Sequence, residues 1–369
     1  MTDLFQGFYS KRPVLITGHT GFKGAWLCAW LHTLGANVVG YALAPPTDPS
    51  MFEACSLKER MTSILGDIRD LNMLRGVFEK HHPEIVFHLA AQALVTDSFR
   101  RPVETFETNV IGTVNLLETC RETSSVRVLI NVTSDKCYEN QEWPWGYREI
   151  DRLGGHDPYS ASKACAEFVT NAYLSSFFRA EDYGKHGKAV ASVRAGNVIG
   201  GGDWAENRLI PDCLRGLIEN KSIVIRNPES IRPWQHVLEP LHGYLLLARR
   251  LFLDGPIFSG PWNFGPDSEG AKPVRWVVEK LLELWGSQKT WTHDQPKPTG
   301  EAHVLKLDSS KARSKLCWEP QWTIPEALLK TMEWYRAFYD GQEMLPVTED
   351  HIKAFAEKAL EKARNPYAL

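Results

Sequence analysis

Over the first 200 positions, short apolar runs alternate with longer stretches whose apolar residues recur every three or four positions. The runs at 13–17, 37–42, 61–65, 84–88, 126–133 and 189–194 predict six buried strands. The periodic stretches at 25–31, 70–81, 103–120 and 159–178 predict helices between them. Strands that are apolar throughout, spaced by helices, predict an α/β fold with a doubly wound parallel sheet. Beyond residue 200 the pattern loosens. It predicts a helix over 207–219, a strand near 222–226, a long helix over 240–253, a strand end at 262–266 and an amphipathic charged helix over 348–365. Trp276, Trp285, Trp291, Trp318, Trp322 and Trp334 fall in this second half as core or interface aromatics. No internal repeat or low-complexity segment interrupts the chain.

Composition narrows the function classes. The 369 residues are 43% hydrophobic and 24% charged, with a net charge of −3 and no long basic block, which argues against nucleic-acid binding. Seven cysteines are scattered without a CxxC pair or a close histidine cluster, so neither a zinc site nor a disulfide framework is expected, and a reduced, cytoplasmic setting is. No apolar run is long enough to span a membrane, and the first residues lack an apolar signal core. Asn131-Val132-Thr133 matches a glycosylation acceptor by chance, inside a buried strand.

Between the first strand and first helix lies Gly18-His19-Thr20-Gly21-Phe22-Lys23-Gly24. Glycines at n, n+3 and n+6 make a tight turn, let backbone approach a pyrophosphate, and aim a helix N-terminus at negative charge. A dinucleotide is the expected ligand. The end of the second strand has neither an acid for a ribose nor an arginine for a 2′-phosphate, so it does not decide between NAD and NADP, although the missing arginine leans towards NAD. Asp67, with Ile68, ends the third strand, where it serves either an adenine amino group or the N-cap of the next helix. Leu89-Ala90-Ala91-Gln92 follows the fourth strand with small residues past which a cofactor can run.

The chemistry centres on Thr133-Ser134-Asp135-Lys136 at the end of the fifth strand and Tyr159-Ser160-Ala161-Ser162-Lys163 on a helix. Tyr159 and Lys163 are spaced i, i+4 and share a face. A tyrosine ordinarily titrates near about 10, and a neighbouring ammonium together with a cationic nicotinamide favours the phenolate, a base for redox chemistry. Ser134 would hydrogen-bond the reacting hydroxyl.

These motifs, with Thr17-Gly18-x-x-Gly21-Phe22-x-Gly24, His88-Leu-Ala-Ala-Gln92 and Arg232-Pro-Trp-Gln-His-Val237, resemble the extended short-chain dehydrogenase/reductase family over nearly the whole chain. Asp135 after Ser134 resembles its nucleotide-sugar 4,6-dehydratase branch. The resemblance implies NAD, with Thr108 and Arg194 among its contacts, and a Rossmann-like domain over 1–200 with a returning segment near 230–265. It implies a smaller, mixed and discontinuous nucleotide-sugar-binding domain over 201–369, and a homodimer formed by packing the 103–120 and 159–178 helices into a four-helix bundle. It also implies transient oxidation at C4, elimination of water across C5–C6, and hydride return to C6, as in the deoxysugar biosynthesis that feeds lipopolysaccharide. Asp135 suits the elimination acid. Thymidine-nucleotide dehydratases carry Asp-Glu where this chain has Asp135-Lys136, so Lys136 is either a base or an electrostatic stabiliser of the enolate.

A diphosphate needs cations and amide donors. Arg232 is the leading clamp. Asn197, the Arg208-Leu209-Ile210 segment and Asn263 match family positions near the nucleotide. A salt bridge competes for Arg208, a turn-forming role for Asn197, and core packing for Trp234 and His236. His81, His82 and His186 read as exposed, and Cys137 is given no chemistry. The resemblance points to a cytidine nucleotide, which the residues' own chemistry does not choose. The rival activities are a nucleotide-sugar 4-epimerase, which would not use Asp135, and a non-catalytic NAD-sensing module.

Overall fold

The computed structural model describes residues 4–293 and 303–364. Six strands match the apolar runs: β1 (Pro13–Thr17), β2 (Asn37–Ala42), β3 (Thr62–Leu65), β4 (Ile85–His88), β5 (Val128–Val132) and β6 (Ala189–Ala195). Four more follow: β7 (Asn197–Ile199), β8 (Ile223–Ile225), β9 (Ile231–His236) and β10 (Gly260–Phe264). β10 returns to pair with β6, giving a seven-stranded, all-parallel sheet in the order β10-β6-β5-β4-β1-β2-β3. Helices cover both of its faces. Val128, Leu129 and Ile130 are buried although they point to opposite faces, which is why these strands read as continuous apolar runs.

One face carries the first helix (Phe22–Thr33) and the helix Leu238–Asp254. Trp30 and His242 stack between them at 6.4 Å. The last helix, Met344–Arg364, closes over the first: Phe355 meets Trp30 edge-on at 5.6 Å. The C-terminal segment read from sequence as an amphipathic charged helix is therefore a packing element of the nucleotide-fold core. The other face carries Leu71–His81, Gly112–Glu122 and Pro158–Ser176. The helix expected over 103–120 is continuous but carries a π-helical turn. Pro102 opens one helix, Pro102–Phe106, a single π-helical turn follows at Glu107–Ile111, and Gly112–Glu122 continues. Gly112 sits where a Cβ would come within 2.6 Å of Ile68, so glycine is required for the close approach.

Asp70, whose side chain accepts from the Met73 N–H at 3.0 Å, caps the helix Leu71–His81. That corrects the alternative that gave this role to Asp67. A small sheet of β7, β9 and a third strand, β11 (Ala271–Pro273), stands beyond the carboxyl ends of the main strands. The strand at 231–236 was not expected, since Pro233 lies inside it.

Glu239, at the start of Leu238–Asp254, is fully enclosed and accepts the backbone N–H groups of Gln321 (2.9 Å) and Trp322 (2.7 Å). It pins the segment that leads into Ile324–Tyr339. Burial raises its carboxyl from 4.5 to about 8, against the pull of those donors. The native state therefore holds a proton that the unfolded chain has released across that window, and stability falls as pH rises through it. From about pH 5 to about pH 8, the wild type should lose stability relative to Glu239→Gln by up to about 1.4 kcal/mol per pH unit. Denaturant titrations at a series of pH values measure it, and parallel curves for the two proteins would contradict it.

Candidate active site

β5 ends at Val132, and the chain passes through Thr133 and Ser134 into a tight turn at Asp135–Cys137. Ser134 caps that turn. Its Oγ accepts the Lys136 N–H at 3.2 Å and donates to Asp135 Oδ1 at 3.1 Å. Asp135 is buried, and its Oδ2 has no hydrogen-bond partner among the described residues. Burial pushes its carboxyl pKa up, against the opposing pull of Lys136, the Ser134 hydroxyl, Arg232 and Lys23. A carboxyl biased by burial towards its protonated form, with one unpartnered oxygen, is suited to donating a proton.

The facing helix begins at Pro158, capped by Asp157, whose side chain accepts the Ser160 N–H at 2.9 Å. Tyr159, Lys163 and Glu167 follow at i, i+4 and i+8 and are all buried. Lys163 Nζ donates to the Val132 carbonyl at 3.2 Å, which ties the helix to the strand end. Burial lowers its pKa to about 8. Tyr159 is raised to about 12 by burial, opposed by a hydrogen bond with Ser134 and by the Arg208 charge. Ser134, Asp135, Tyr159 and Lys163 are thus brought into one group. Lys136, half-buried, is next to them in the turn.

Beneath this group lies a buried network that the sequence reading missed. Glu167 accepts from Arg194 Nε (2.8 Å) and Nη2 (2.9 Å), from Ser192 (2.6 Å) and from Thr133. Burial raises the Glu167 carboxyl, but Arg194 outweighs it and holds the pKa below the usual range. Arg194 also donates to the Tyr138 hydroxyl at 2.7 Å, and Tyr138 donates to Asn263 Oδ1 at 2.8 Å. Asn263 Nδ2 donates to the carbonyls of Tyr147 and Asp308. Two expectations change here. Arg194 is spent on Glu167 and Tyr138, so it is not placed to hold a cofactor. Asn263 has its side chain committed to the 137–157 loop, so it is not placed to hold a nucleotide. The available signal was the i+8 carboxylate on the Tyr159 face, which demands a buried cation.

The glycine turn is built for a ligand. Gly18 has φ +76°, and a Cβ there would lie 2.6 Å from the Ala90 backbone nitrogen; Gly24 packs directly on the Gly18 carbonyl. Gly21 is the N-cap of Phe22–Thr33 and supplies no side-chain cap, so the first N–H groups of that helix are left to whatever occupies the turn. These features fit a dinucleotide pyrophosphate. His19 bonds Ser63 at 2.7 Å and lies against Gly40, while Thr20 donates to the Leu43 carbonyl. Phe22 and Lys23 are half-buried; the Lys23 ammonium sits 5.9 Å from the Tyr244 ring, and burial lowers its pKa to about 7. Leu89, Ala90, Ala91 and Thr108 are half-buried beside the turn or on the adjoining helix. Gln92 is fixed by Asn109, which donates to Ser162 at 2.8 Å and so links this loop to the Tyr159 helix. Ile68 is buried under Gly112, and Asp67 is paired with Arg69 at 2.6 Å.

On the other side of the group, Arg208 pairs with Asp203 at 2.9 Å and precedes the helix Leu209–Ile218. Its charge is felt at Tyr159, and that of Arg232 at Asp135, so the two guanidiniums flank this group. Arg232 is buried and donates to the carbonyls of Ile231 and His303. Leu209 is half-buried and Ile210 is buried in the core. Asn197 opens β7, paired with Trp234, instead of making a turn. Two further expectations are corrected. Trp234 is in the core with its indole N–H on the Lys272 carbonyl, and His236 is sealed between Trp26 and Trp322, so neither lines a cleft. Among the described residues no cluster of potential metal ligands exists, and no helix is long and apolar enough to cross a membrane.

The fold and this site have known counterparts. Residues 15–250 match the sequence model of the GDP-mannose 4,6 dehydratase family. A CDP-glucose 4,6-dehydratase of Salmonella typhimurium is 52% identical over 95% of this chain and 98% of that protein. Among solved structures, UDP-glucose 4-epimerase of Thermotoga maritima, with UDP-glucose, superposes with a TM-score of 0.75 at 25% identity, over 88% of this chain and 99% of that one. The dTDP-glucose 4,6-dehydratase of Bacillus anthracis, in complex with NAD, superposes with a TM-score of 0.74 at 22% identity, over 90% and 99%. The chain belongs to the nucleotide-sugar 4,6-dehydratases that this family model describes, a branch of the extended short-chain dehydrogenase/reductases.

Proposed function

We propose that the chain is a CDP-glucose 4,6-dehydratase, a lyase that converts CDP-D-glucose to CDP-4-dehydro-6-deoxy-D-glucose and water with NAD as its cofactor. The observation that carries the reading is Asp135: a buried, raised-pKa carboxyl with an unpartnered oxygen, hydrogen-bonded to Ser134 beside Tyr159 and Lys163. A 4-epimerase needs no acid there. The 52% identity to the Salmonella enzyme supports the cytidine nucleotide.

The turn 18–24 and the 89–92 segment would hold the cofactor, which supplies a hydride acceptor for C4 and the hydride donor for C6. Burial raises the Tyr159 phenol to about 12, against the lowering expected from the sequence, so a cationic nicotinamide beside it would have to favour the phenolate that takes the C4 hydroxyl proton, with Ser134 orienting that hydroxyl. Lys163, at about 8, is still largely cationic at neutral pH and favours the phenolate. Once C4 is a ketone, C5 is acidic. Asp135 gives its proton to the C6 oxygen as it leaves, and Lys136 places positive charge beside the developing enolate. Arg232, Arg208 and the Leu209–Ile210 end of the helix, with Asn197, take the diphosphate and nucleotide. In this reading residues 1–200 with β10 form the cofactor domain and 201–369 mainly the substrate domain. The product class serves deoxysugar biosynthesis for lipopolysaccharide, and the setting is cytoplasmic.

The subunits are proposed to pair through the 102–122 and 158–176 helices, where Val103, Phe106, Ile111 and Phe168 expose large apolar side chains. Val103→Glu together with Phe168→Glu should convert a dimer to a monomer in sedimentation velocity. A wild type already monomeric would contradict the pairing.

Turnover in heavy water should place deuterium at C5 of a 6-deoxy-4-keto product from CDP-glucose, with slower or no conversion of the dTDP-, GDP- and UDP-glucose analogues. A product epimerised at C4 with no label at C5 would overturn the dehydratase reading. Tyr159→Phe should abolish the first oxidation. Asp135→Asn should leave the reduced cofactor accumulating while product formation slows by roughly a hundredfold or more. Equal loss of both steps would remove Asp135 as the elimination acid.

A further inference from the structure

The small sheet beyond the main strands carries two like charges side by side. β9 and β11 run antiparallel, with Lys272 directly opposite Arg232. Residues so paired project from the same face, with Cβ atoms about 5 Å apart. Two cations in that relation repel and destabilise the pairing. The register offers no escape. The Trp234 indole N–H donates to the Lys272 carbonyl at 3.0 Å, and the Val274 N–H to the Ser230 carbonyl at 3.0 Å, so the strands are held in place.

Protein carboxylates do not relieve the repulsion at Lys272. Two acids on the flanking turns are taken by other arginines: Glu229 pairs with Arg275 at 3.3 Å, and Asp267 pairs with Arg313. Glu269, exposed on the turn before β11, makes no ion pair with Lys272. The ammonium instead lies 5.4 Å from the ring centroid of Trp276, four residues on. That is a cation–π distance, and the ring gives the lysine stem a surface to lie against. Both side chains are half-buried.

Arg232 is fixed as well. Its Nη1 donates to the carbonyls of Ile231 at 3.0 Å and His303 at 3.3 Å, and the residue is only 8% exposed. Its charge acts on Asp135, so the pair of cations borders the site. A buried guanidinium beside an ammonium is unfavourable in the protein alone. It is favourable towards a ligand that carries two adjacent negative groups.

We propose that Lys272 is the second cation of the substrate clamp: Arg232 grips one phosphate group of the nucleotide-sugar diphosphate, and Lys272, beside it on β11, takes the other. The inference rests on the nucleotide-sugar reading of the site. It explains why a like-charge pair is kept in fixed register, since the diphosphate removes the repulsion when it binds.

The test is isothermal titration of the NAD-loaded protein with CDP, and with inorganic pyrophosphate as its competitor, alongside thermal melting. Lys272→Met keeps an apolar stem beside Trp276 and removes the charge. It should weaken CDP and pyrophosphate alike by roughly tenfold or more, the scale of a charge-assisted hydrogen bond. Its CDP affinity should fall less steeply with added salt than that of the wild type. Lys272→Arg should keep most of the affinity. Without CDP, Lys272→Met should melt at or above the wild-type temperature, because a like-charge repulsion has gone. Unchanged CDP affinity in Lys272→Met overturns the assignment. So does a lower melting temperature with a loss that Lys272→Arg fails to rescue, which is the pattern of a structural lysine. Weakened CDP with pyrophosphate binding intact also overturns it, by placing Lys272 on the nucleoside. A wild type that binds pyrophosphate but no CDP would instead defeat the nucleotide reading, and pyrophosphate would still report on the cation pair.

Discussion

Glu167 and Arg194 meet in the interior, out of reach of water, and each holds something else in place. Through Glu167 the pair grips the end of β5 at Thr133, one residue before Ser134. Through Arg194 it grips Tyr138, and through Tyr138 the end of β10 at Asn263. Three strand ends, one helix and the 137–157 loop therefore share a single charged joint. Removing one partner of such a pair costs about 3–5 kcal/mol, because the other charge is left buried and unpaired. Here the geometric loss would come with it. Lys163 lies one turn from Glu167, and its bond to the Val132 carbonyl keeps a fixed distance only while helix and strand are held together.

That joint also explains what was legible in the sequence. The strands could be read because parallel strands buried on both faces are apolar throughout, as Val128-Leu-Ile at β5 shows. Tyr159 and Lys163 could be read because their relation is local, four residues on one helix. Glu167 belongs to the same face, but its meaning depends on Arg194 arriving on a different strand, and periodicity says nothing about that pairing. Arg194, Asn263, Trp234 and His236 went wrong for a related reason. Their motif positions lie near a cleft, and only the packed structure reveals that their polar atoms or rings are already occupied. The short helix Val95–Arg100 escaped because it is polar and is cut off by Pro102 within one residue.

The cofactor turn combines two constraints. Glycine at 18 is forced by the Ala90 backbone, and glycine at 24 by the Gly18 carbonyl, so the turn and the helix behind it are pressed together. His19 then fills space over Gly40 that a side chain on β2 would otherwise take, and it bonds Ser63 on β3. The inner part of β2 is thereby covered by a ring from the turn itself.

A chain with a net charge of −3 still gathers cations at one point. Lys23, Lys136, Lys163, Arg208 and Arg232 gather around Asp135 and Tyr159, and Arg208 pairs with Asp203 at 2.9 Å. Net charge and local field are different quantities, and binding of an anion answers to the second. Burial has lowered Lys163 to about 8 and Lys23 to about 7, so both sit near the edge of losing their charge. An anion in the cleft opposes that burial penalty and favours the ammonium form of both. The same event increases the positive charge near Tyr159, the base of the proposed reaction. In that proposal, binding of a diphosphate would favour activation of the base through two lysines.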